Sequence, residues 1–436
     1  MTRLAPRLAL VPLALTLGLV FSSPANAAEA DPTIERIVDI LRDKDLIDEG
    51  TRASLLEEHA ARTRAVSAAA KPGGNWQWKG DLRLRYQPER FDEDSTGNES
   101  DDRDRFRYRA RLGVTGSVTD RIAVSFGLAT GNGDQRGTNM SFGENPDFQQ
   151  DPIYVDYASL EWKVPGPEGL QNSVLAGRMV NPLRWSQTPD ALHFDPDISV
   201  EGGALRSSWD LNERTTLFSR AGAFVIQEFS GSSDPKLVGL QLGGSHRFLG
   251  DTELGLRASM FQFRSLDNSF ITRAMANGNL ANAFDGKARI GDFTGYVKVG
   301  LGDAGPLKLW GSMVENFNAD DALINGFLVD EENFAWGVGI DIGDPKLWFQ
   351  FALAYYDIEA NAVVANFTDS DIVNGTTNAK GWVITLRRDL LDGVEMRLTY
   401  FDHDSKENTG GAAGPFAASV RDRDRKRLNA DLIFSF

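Results

Sequence analysis

A chain of 436 residues with no cysteine, 41% hydrophobic residues and a formal net charge of −16 excludes a disulfide scaffold, a thiolate metal centre and a cysteine-anchored lipoprotein. The acidic balance argues against general nucleic-acid binding, which shows a basic footprint. Mean hydropathy is −0.31, yet 43 glycines and 26 phenylalanines in one unchanging pattern suit a single large β architecture better than several small domains.

The amino terminus carries a basic start at Arg3 and Arg7, an apolar run from Leu8 to Phe21 and the small-x-small site Ala25-Asn26-Ala27. Together these read as a secretory signal peptide over residues 1–27; a membrane anchor would need about 20 apolar residues. Residues 28–75 differ from all that follows. Ile34, Ile37 and Leu41 recur at helical spacing, Leu46-Ile47 marks a break, and Thr51 opens a second helical stretch with Leu55 and Leu56. This predicts a short helix-turn-helix and a linker ending near Gly73-Gly74. Such a segment is expected to be periplasmic, whether self-associating, resting on a rim or solvated.

From Trp76 onward the period is two, over residues 76–436. Arg83 and Arg85 alternate with Leu82, Leu84 and Tyr86, and Arg103, Arg105, Arg107, Arg109 and Arg111 with Phe106, Tyr108, Ala110 and Leu112. At the far end, Arg425, Arg427, Asn429 and Asp431 alternate with Leu428, Ala430, Leu432 and Phe434. Each strand therefore has one charged and one apolar face. Short turns at 119–121, 165–169, 211–213, 250–251, 303–305, 344–345 and 391–393 alternate with eight longer polar connections, near 88–102, 132–151, 181–197, 230–235, 266–290, 318–332, 359–379 and 406–420. That arrangement requires about 16 antiparallel strands and is the pattern of bacterial outer-membrane barrels. Trp76, Trp162, Trp209, Trp310, Trp336 and Trp382, near segment ends, suit interfacial girdles.

In lipid every backbone group must be paired inside the protein, so the expected fold is an all-β transmembrane barrel, closed on itself. A closed sheet of this size leaves a lumen too wide for side chains to fill, so inward polar residues are expected to line water. If the first strand pair closes onto the last strand, Arg83, Arg85, Arg105, Arg107, Arg109, Arg425 and Arg427 form one basic inner patch, extended by Arg178, Arg247, Arg257, Arg387 and Arg397. Fixed guanidiniums favour anions in a narrow pore; pairing with Asp81, Asp431 and loop carboxylates reduces that field.

Three stretches give a resemblance: "IVDILRDKDLIDEG" near the amino terminus, "LAGRMVNPLRWSQTPDALHFDPDISVEGGAL" from Leu175 to Leu205, and the end "LNADLIFSF". On these the chain resembles the putative-porin family of Gram-negative outer-membrane barrels, similar in style to phosphate-selective porins. The resemblance implies a passive diffusion channel for small hydrophilic solutes or ions, a homotrimer, and a carboxy-terminal Phe436 read by the barrel-assembly machinery. It also implies a third loop folded into the lumen, here residues 181–197 with Arg184, Asp190, His193, Asp195 and Asp197 at the constriction. Outer-membrane lipid and lipopolysaccharide would surround it, and no cofactor, metal, nucleic acid or catalytic residue is expected.

Other readings compete. A barrel-type hydrolase would draw on His193, Asp190 and a loop serine, though no serine is singled out. A structural or adhesive barrel would have its lumen blocked by inward loops. The acidic run 92–102 begins like a calcium loop but has Arg103 where a bidentate Glu belongs, so a solvated loop is expected. Gly131-Asn132-Gly133-Asp134 is a turn signal, and His59, His193, His246 and His403 show no metal-ligand spacing.

Overall fold

The computed structural model describes residues 32–44, 47–57, 76–91, 102–189, 192–231, 233–248, 250–280, 283–284, 286–324, 327–372, 375–406 and 424–436. The expected signal peptide, the linker, most of the acidic run and Asp190 lie outside the described residues. Two compact units divide the chain near Pro72.

In the amino-terminal unit, α1 (Pro32–Asp43) is followed by α2 (49–57). Asp48, not Thr51, opens α2: its carboxylate accepts the Thr51 backbone N–H at 2.6 Å, the usual work of an Asp N-cap. Arg52 of α2 reaches Asp39 of α1 at 2.8 Å, which holds the pair in a hairpin.

The second unit is a closed antiparallel barrel of sixteen strands. Its first half comprises β1 (Trp76–Phe91), β2 (Arg103–Ser117), β3 (Ile122–Thr130), β4 (Ile153–Val164), β5 (Leu170–Val180), β6 (Ser199–Asn212), β7 (Thr215–Val225) and β8 (Lys236–Arg247). The second half comprises β9 (Thr252–Arg264), β10 (Lys287–Gly300), β11 (Pro306–Asn316), β12 (Phe334–Gly343), β13 (Gln350–Ile358), β14 (Ala379–Leu391), β15 (Val394–Ser405) and β16 (Arg425–Ser435). Each strand pairs with its sequence neighbours, and β16 returns to β1 with Asp431 opposite Arg85 and Ile433 opposite Arg83. Closure leaves no open edge to face lipid. Phe436 completes the seam through reciprocal backbone bonds with Gly80 at 2.9 and 3.1 Å. A Cβ at residue 80 would sit 2.5 Å from its ring and 2.7 Å from the Arg111 carbonyl, and because that carbonyl cannot give way, only glycine fits there.

Burial is inverted relative to a water-soluble protein. On β1 Leu82 and Leu84 are 38% and 41% exposed, while Arg83 and Arg85 are 6% and 4% exposed. The apolar face looks out to lipid and the charged face into the lumen. Outward aromatics cluster near the short turns, at Trp76, Trp78, Trp162, Trp209 and Trp348, and again towards the long loops, where Trp336, Tyr355 and Trp382 pack together. Trp310 departs from the expected girdle. It points inward, 5% exposed, against Tyr356.

The lumen also departs from expectation, because it is not uniformly polar. From β8 to β13 the inner wall carries Leu237, Phe261, Phe263, Ile290, Val314 and Tyr356, all buried. Loop 3 (181–198), loop 5 (265–286) and loop 7 (359–378) fold inward and cover this wall with Leu183, Trp185, Phe194, Phe270, Val363 and Ile372. Loop 5 contributes helix α3 (Asn268–Ala276), capped by Asp267. Buried amides fasten the loops together: Asn279 donates to the Ala360 and Val363 carbonyls at 2.7 and 2.8 Å, and Asn361 accepts from Leu280 at 2.9 Å. Loop 3 enters where Gly177 of β5 faces Gly202 of β6, with φ of +112° and +154°. A Cβ at either would strike a neighbouring carbonyl, so the close approach there requires glycine.

The inverted wall predicts the effect of a charge on its outer face. Leu242, outward and midway along β8, replaced by Arg should cost about 2–4 kcal/mol. Reversible denaturant unfolding in lipid bilayers measures it; a change under about 0.5 kcal/mol would contradict lipid exposure at that position.

Candidate pore and constriction

The inner faces of β16, β1 and β2 form a wall of arginines. Register places Arg83 opposite Arg109 and Arg85 opposite Arg107, with Arg425 and Arg427 on the next strand. Like charges directly across a ladder repel, so the wall stands only with acids set into it. Asp431 takes Arg85 in a two-pronged pair at 2.7 and 3.0 Å. Asp81 joins Arg109 and Arg111 at 2.7 and 2.6 Å. Glu89 joins Arg105 and, at 2.9 Å, Arg425.

The remaining acids come from the inward loops. Asp371 of loop 7 reaches Arg427 at 3.1 Å and Arg85 at 3.6 Å. Asp197 of loop 3 reaches Arg111 at 3.4 Å and Thr138 at 2.8 Å. Against the cost of burial, Arg85, Arg427, Arg83 and Arg107 hold the Asp371 carboxyl well below the usual carboxylate range. Among the described residues two arginines of this wall have no carboxylate ion-pair partner. Arg83 donates to the Asn139 side chain, and Arg107 to Gln87 and the Asn139 carbonyl at 3.2 and 3.3 Å.

A cavity of about 760 Å³ runs along this wall, bordered by Arg83, Arg85, Arg109 and Arg111 on one side and by Lys308, Asp341, Arg387 and Arg397 on another. Arg184 and Asp197 of loop 3 and Asp371 of loop 7 narrow it. Thus Arg83, Arg85, Arg109 and Arg397 border the cavity, and Arg105, Arg107, Arg425 and Arg427 extend the same basic face. Arg178 does not join them. Its register partners, Ala158 and Glu201, are exposed. It pairs with Glu201 at 2.7 Å at the outer rim, because the two-residue period that turns Leu175 and Met179 inward turns Arg178 outward. Arg257 is buried in the opposite wall on Asp292.

Loop 3 is brought to the lumen, but its candidate residues do different things there. Arg184 and Asp197 border the cavity. His193 is a correction: its Nε2 meets Asp292 of β10 at 2.9 Å, between Phe194 and Phe261. Buried against the wall, it anchors the loop rather than facing the pore. Asp195 is buried too, and accepts the Ser370 and Asp197 N–H groups at 2.7 and 2.8 Å. The acids expected to face the arginines across water therefore dock directly on them or on loop 7. Sequence reading missed loop 7 as the partner of loop 3. The available signal was the apolar run Ala362-Val363-Val364 inside a polar connection.

A family model described as "Putative porin" matches residues 92–294 and 280–413. The chain belongs to this porin family. Among solved structures, Pseudomonas putida OprB is 12% identical with a TM-score of 0.50, covering 89% of this chain and 96% of that one. Salmonella typhi OmpF in complex with daunomycin is 13% identical at a TM-score of 0.47, covering 84% and 98%. The Acinetobacter baumannii outer-membrane channel DcaP is 12% identical at 0.45, covering 84% and 98%. No curated protein sequence matches. The porin barrel and its outer-membrane location agree with the inverted burial, and the chain is an outer-membrane channel.

Two outcomes follow from the wall and its loops. Arg85→Ala leaves Asp431 buried without its charge partner and should cost about 3–5 kcal/mol, with Arg85→Ala/Asp431→Ala recovering part of the loss. Denaturant unfolding of the three variants tests this. Separately, burial and then Asp369 and Asp197 push the Asp195 carboxyl up to about 8, and burial and then Asp371 push Asp369 up to about 7. Folded-state values above the unfolded one mean stability is present at low pH and lost as pH rises through about 7–8. Channel noise in a bilayer should rise across that window and less so in Asp369→Asn; equal noise at pH 6 and pH 9 would show that the loops do not respond.

Proposed function

We propose that this porin is a passive, anion-biased channel whose field is set by the arginine wall. The observation that carries this reading is that Arg83, on the cavity, and Arg107 have no carboxylate ion-pair partner among the described residues. Two guanidiniums outside any ion pair leave net positive potential along this wall, which concentrates small anions and repels cations. Pore-lining roles belong to Arg83, Arg85, Arg109 and Arg397, and constriction roles to Arg184 and Asp197.

The same reading makes the chain a homotrimer in lipid and lipopolysaccharide, exported by residues 1–27 and assembled through Phe436, with residues 28–75 in the periplasm. Passive transport rather than catalysis is supported by His193, the base drawn on for an acyl-transfer site, being buried between Phe194 and Phe261 and not bordering the arginine-lined cavity.

Planar-bilayer recording tests both the bias and the assembly. Closure in three equal steps is expected, with a reversal potential under a KCl gradient that favours chloride. Arg83→Gln with Arg107→Gln should lower the chloride-to-potassium permeability ratio by about 2-fold or more. A cation preference in the unaltered protein would hand the field to the loop acids and sink the anion reading.

A further inference from the structure

A second cavity, of about 440 Å³, lies at the long-loop end over the ends of β5, β6 and β7. It is not part of the arginine wall. Its floor is apolar and aromatic: Phe194 of loop 3, Phe224 of β7, Leu237 of β8, α3's Phe270 and Phe367 of loop 7. Phe194 and Phe367 have ring centroids 6.3 Å apart, and Phe270 and Phe367 5.9 Å, so the floor is one packed aromatic surface.

The rim is cationic. Arg178 is matched by Glu201 at 2.7 Å, and Arg136 by Asp134 at 3.5 Å and by loop 7 carbonyls. Arg273 differs. Its guanidinium stands 5.9 Å over the Phe270 ring and donates to neutral groups, Gln227 at 3.2 Å and Ser269 at 3.4 Å. Among the described residues no carboxylate forms an ion pair with it; Asp267, the cap of α3, feels its charge from farther off and accepts from Ser269 and the Phe270 N–H instead.

We propose that this cavity binds small amphipathic carboxylates, an aromatic or branched apolar body bearing one carboxylate. The volume is that of a small-molecule site. The aromatic floor gains by covering an apolar body, and a carboxylate fits the planar fork of Arg273 with a two-pronged bond. Other ligand chemistries each leave something unmatched. An inorganic anion satisfies Arg273 and leaves the floor wet; a neutral hydrophobe covers the floor and leaves the cation unpaired; a polyol does neither.

The position gives the site a use. Phe194 and Phe367, which make the floor, belong to the junction where the Asp195 N–H meets the Phe367 carbonyl at 2.7 Å. Asp197 and Asp371, a few residues on, border the arginine-lined cavity. A solute held at the rim thus stands on the outer side of the same loops that narrow the pore, and the site works as an entry station. That use rests on the channel reading; the binding itself does not.

The experiment is calorimetric titration of the full chain in detergent with benzoate, acetate and benzyl alcohol as probes. Saturable binding of benzoate is expected, with acetate and benzyl alcohol each about 10-fold weaker or more. Arg273 is exposed on its helix, so Arg273→Gln should fold normally. It should weaken benzoate to the level of benzyl alcohol while leaving benzyl alcohol unchanged. Benzoate binding no tighter than acetate, or unaffected by Arg273→Gln, would overturn the proposal. Conductance in KCl, recorded on the same two proteins, is independent of that result: its loss would remove the channel reading, and its persistence without benzoate binding would remove this one alone.

Discussion

Placing arginines across from arginines on adjacent strands is the constraint on which this barrel's interior depends. The β1–β2 ladder sets Arg83 across from Arg109 and Arg85 across from Arg107, and closure by β16 adds Arg425 and Arg427 beside them. Repulsion between such neighbours is offset by carboxylates, and the strands supply only part of the set, at Asp81, Glu89 and Asp431. Asp197 and Asp371 must come from loops 3 and 7. The arginine wall is therefore also what draws loops 3 and 7 inward.

The opposite wall obeys another rule. From β8 to β13 the inner face carries phenylalanine, isoleucine and leucine, which water in a wide lumen would wet at a cost. Loops 3, 5 and 7 remove that cost by packing their own apolar side chains on it. Both halves of the lumen thus pull on the same loops, one by ion pairing and one by apolar burial. Loop 3 shows the division within a few residues. His193 is held in the apolar wall through Asp292, Asp195 binds loop 7's backbone, and Asp197 meets the arginines. The cavity consequently lies between the arginines and the inner face of β11 to β15.

Much of this was legible in the sequence because strand periodicity is a local property. Alternation of arginine with leucine and tyrosine in residues 82–86 defines two faces whatever lies across from them. Seven short turns between long connections define strand number and pairing order, since antiparallel neighbours need only a tight turn. Lipid adds the demand for closure, and closure brings the first and last strands together. The basic patch on β16, β1 and β2 follows from those statements alone.

What periodicity does not carry is where a loop goes. Arg178 shares the outward parity of Val174 and Ala176, so alternation itself keeps it off the lumen, but its ion pair with Glu201 at the rim depends on how β5 registers with β6. Trp310 sits where a girdle residue would, but the register of β11 points it inward onto Tyr356. Asp369 and Asp371 are distant in sequence from Asp195 and Arg85, and nothing local couples them. The sequence by itself determined an inside-out barrel with an arginine face, because two solvents and a two-residue period leave few alternatives. Only the tertiary structure decided which acids meet which arginines and where the aromatic rim cavity forms. Those contacts join loops from across the barrel, and long-range packing rather than local alternation selects them.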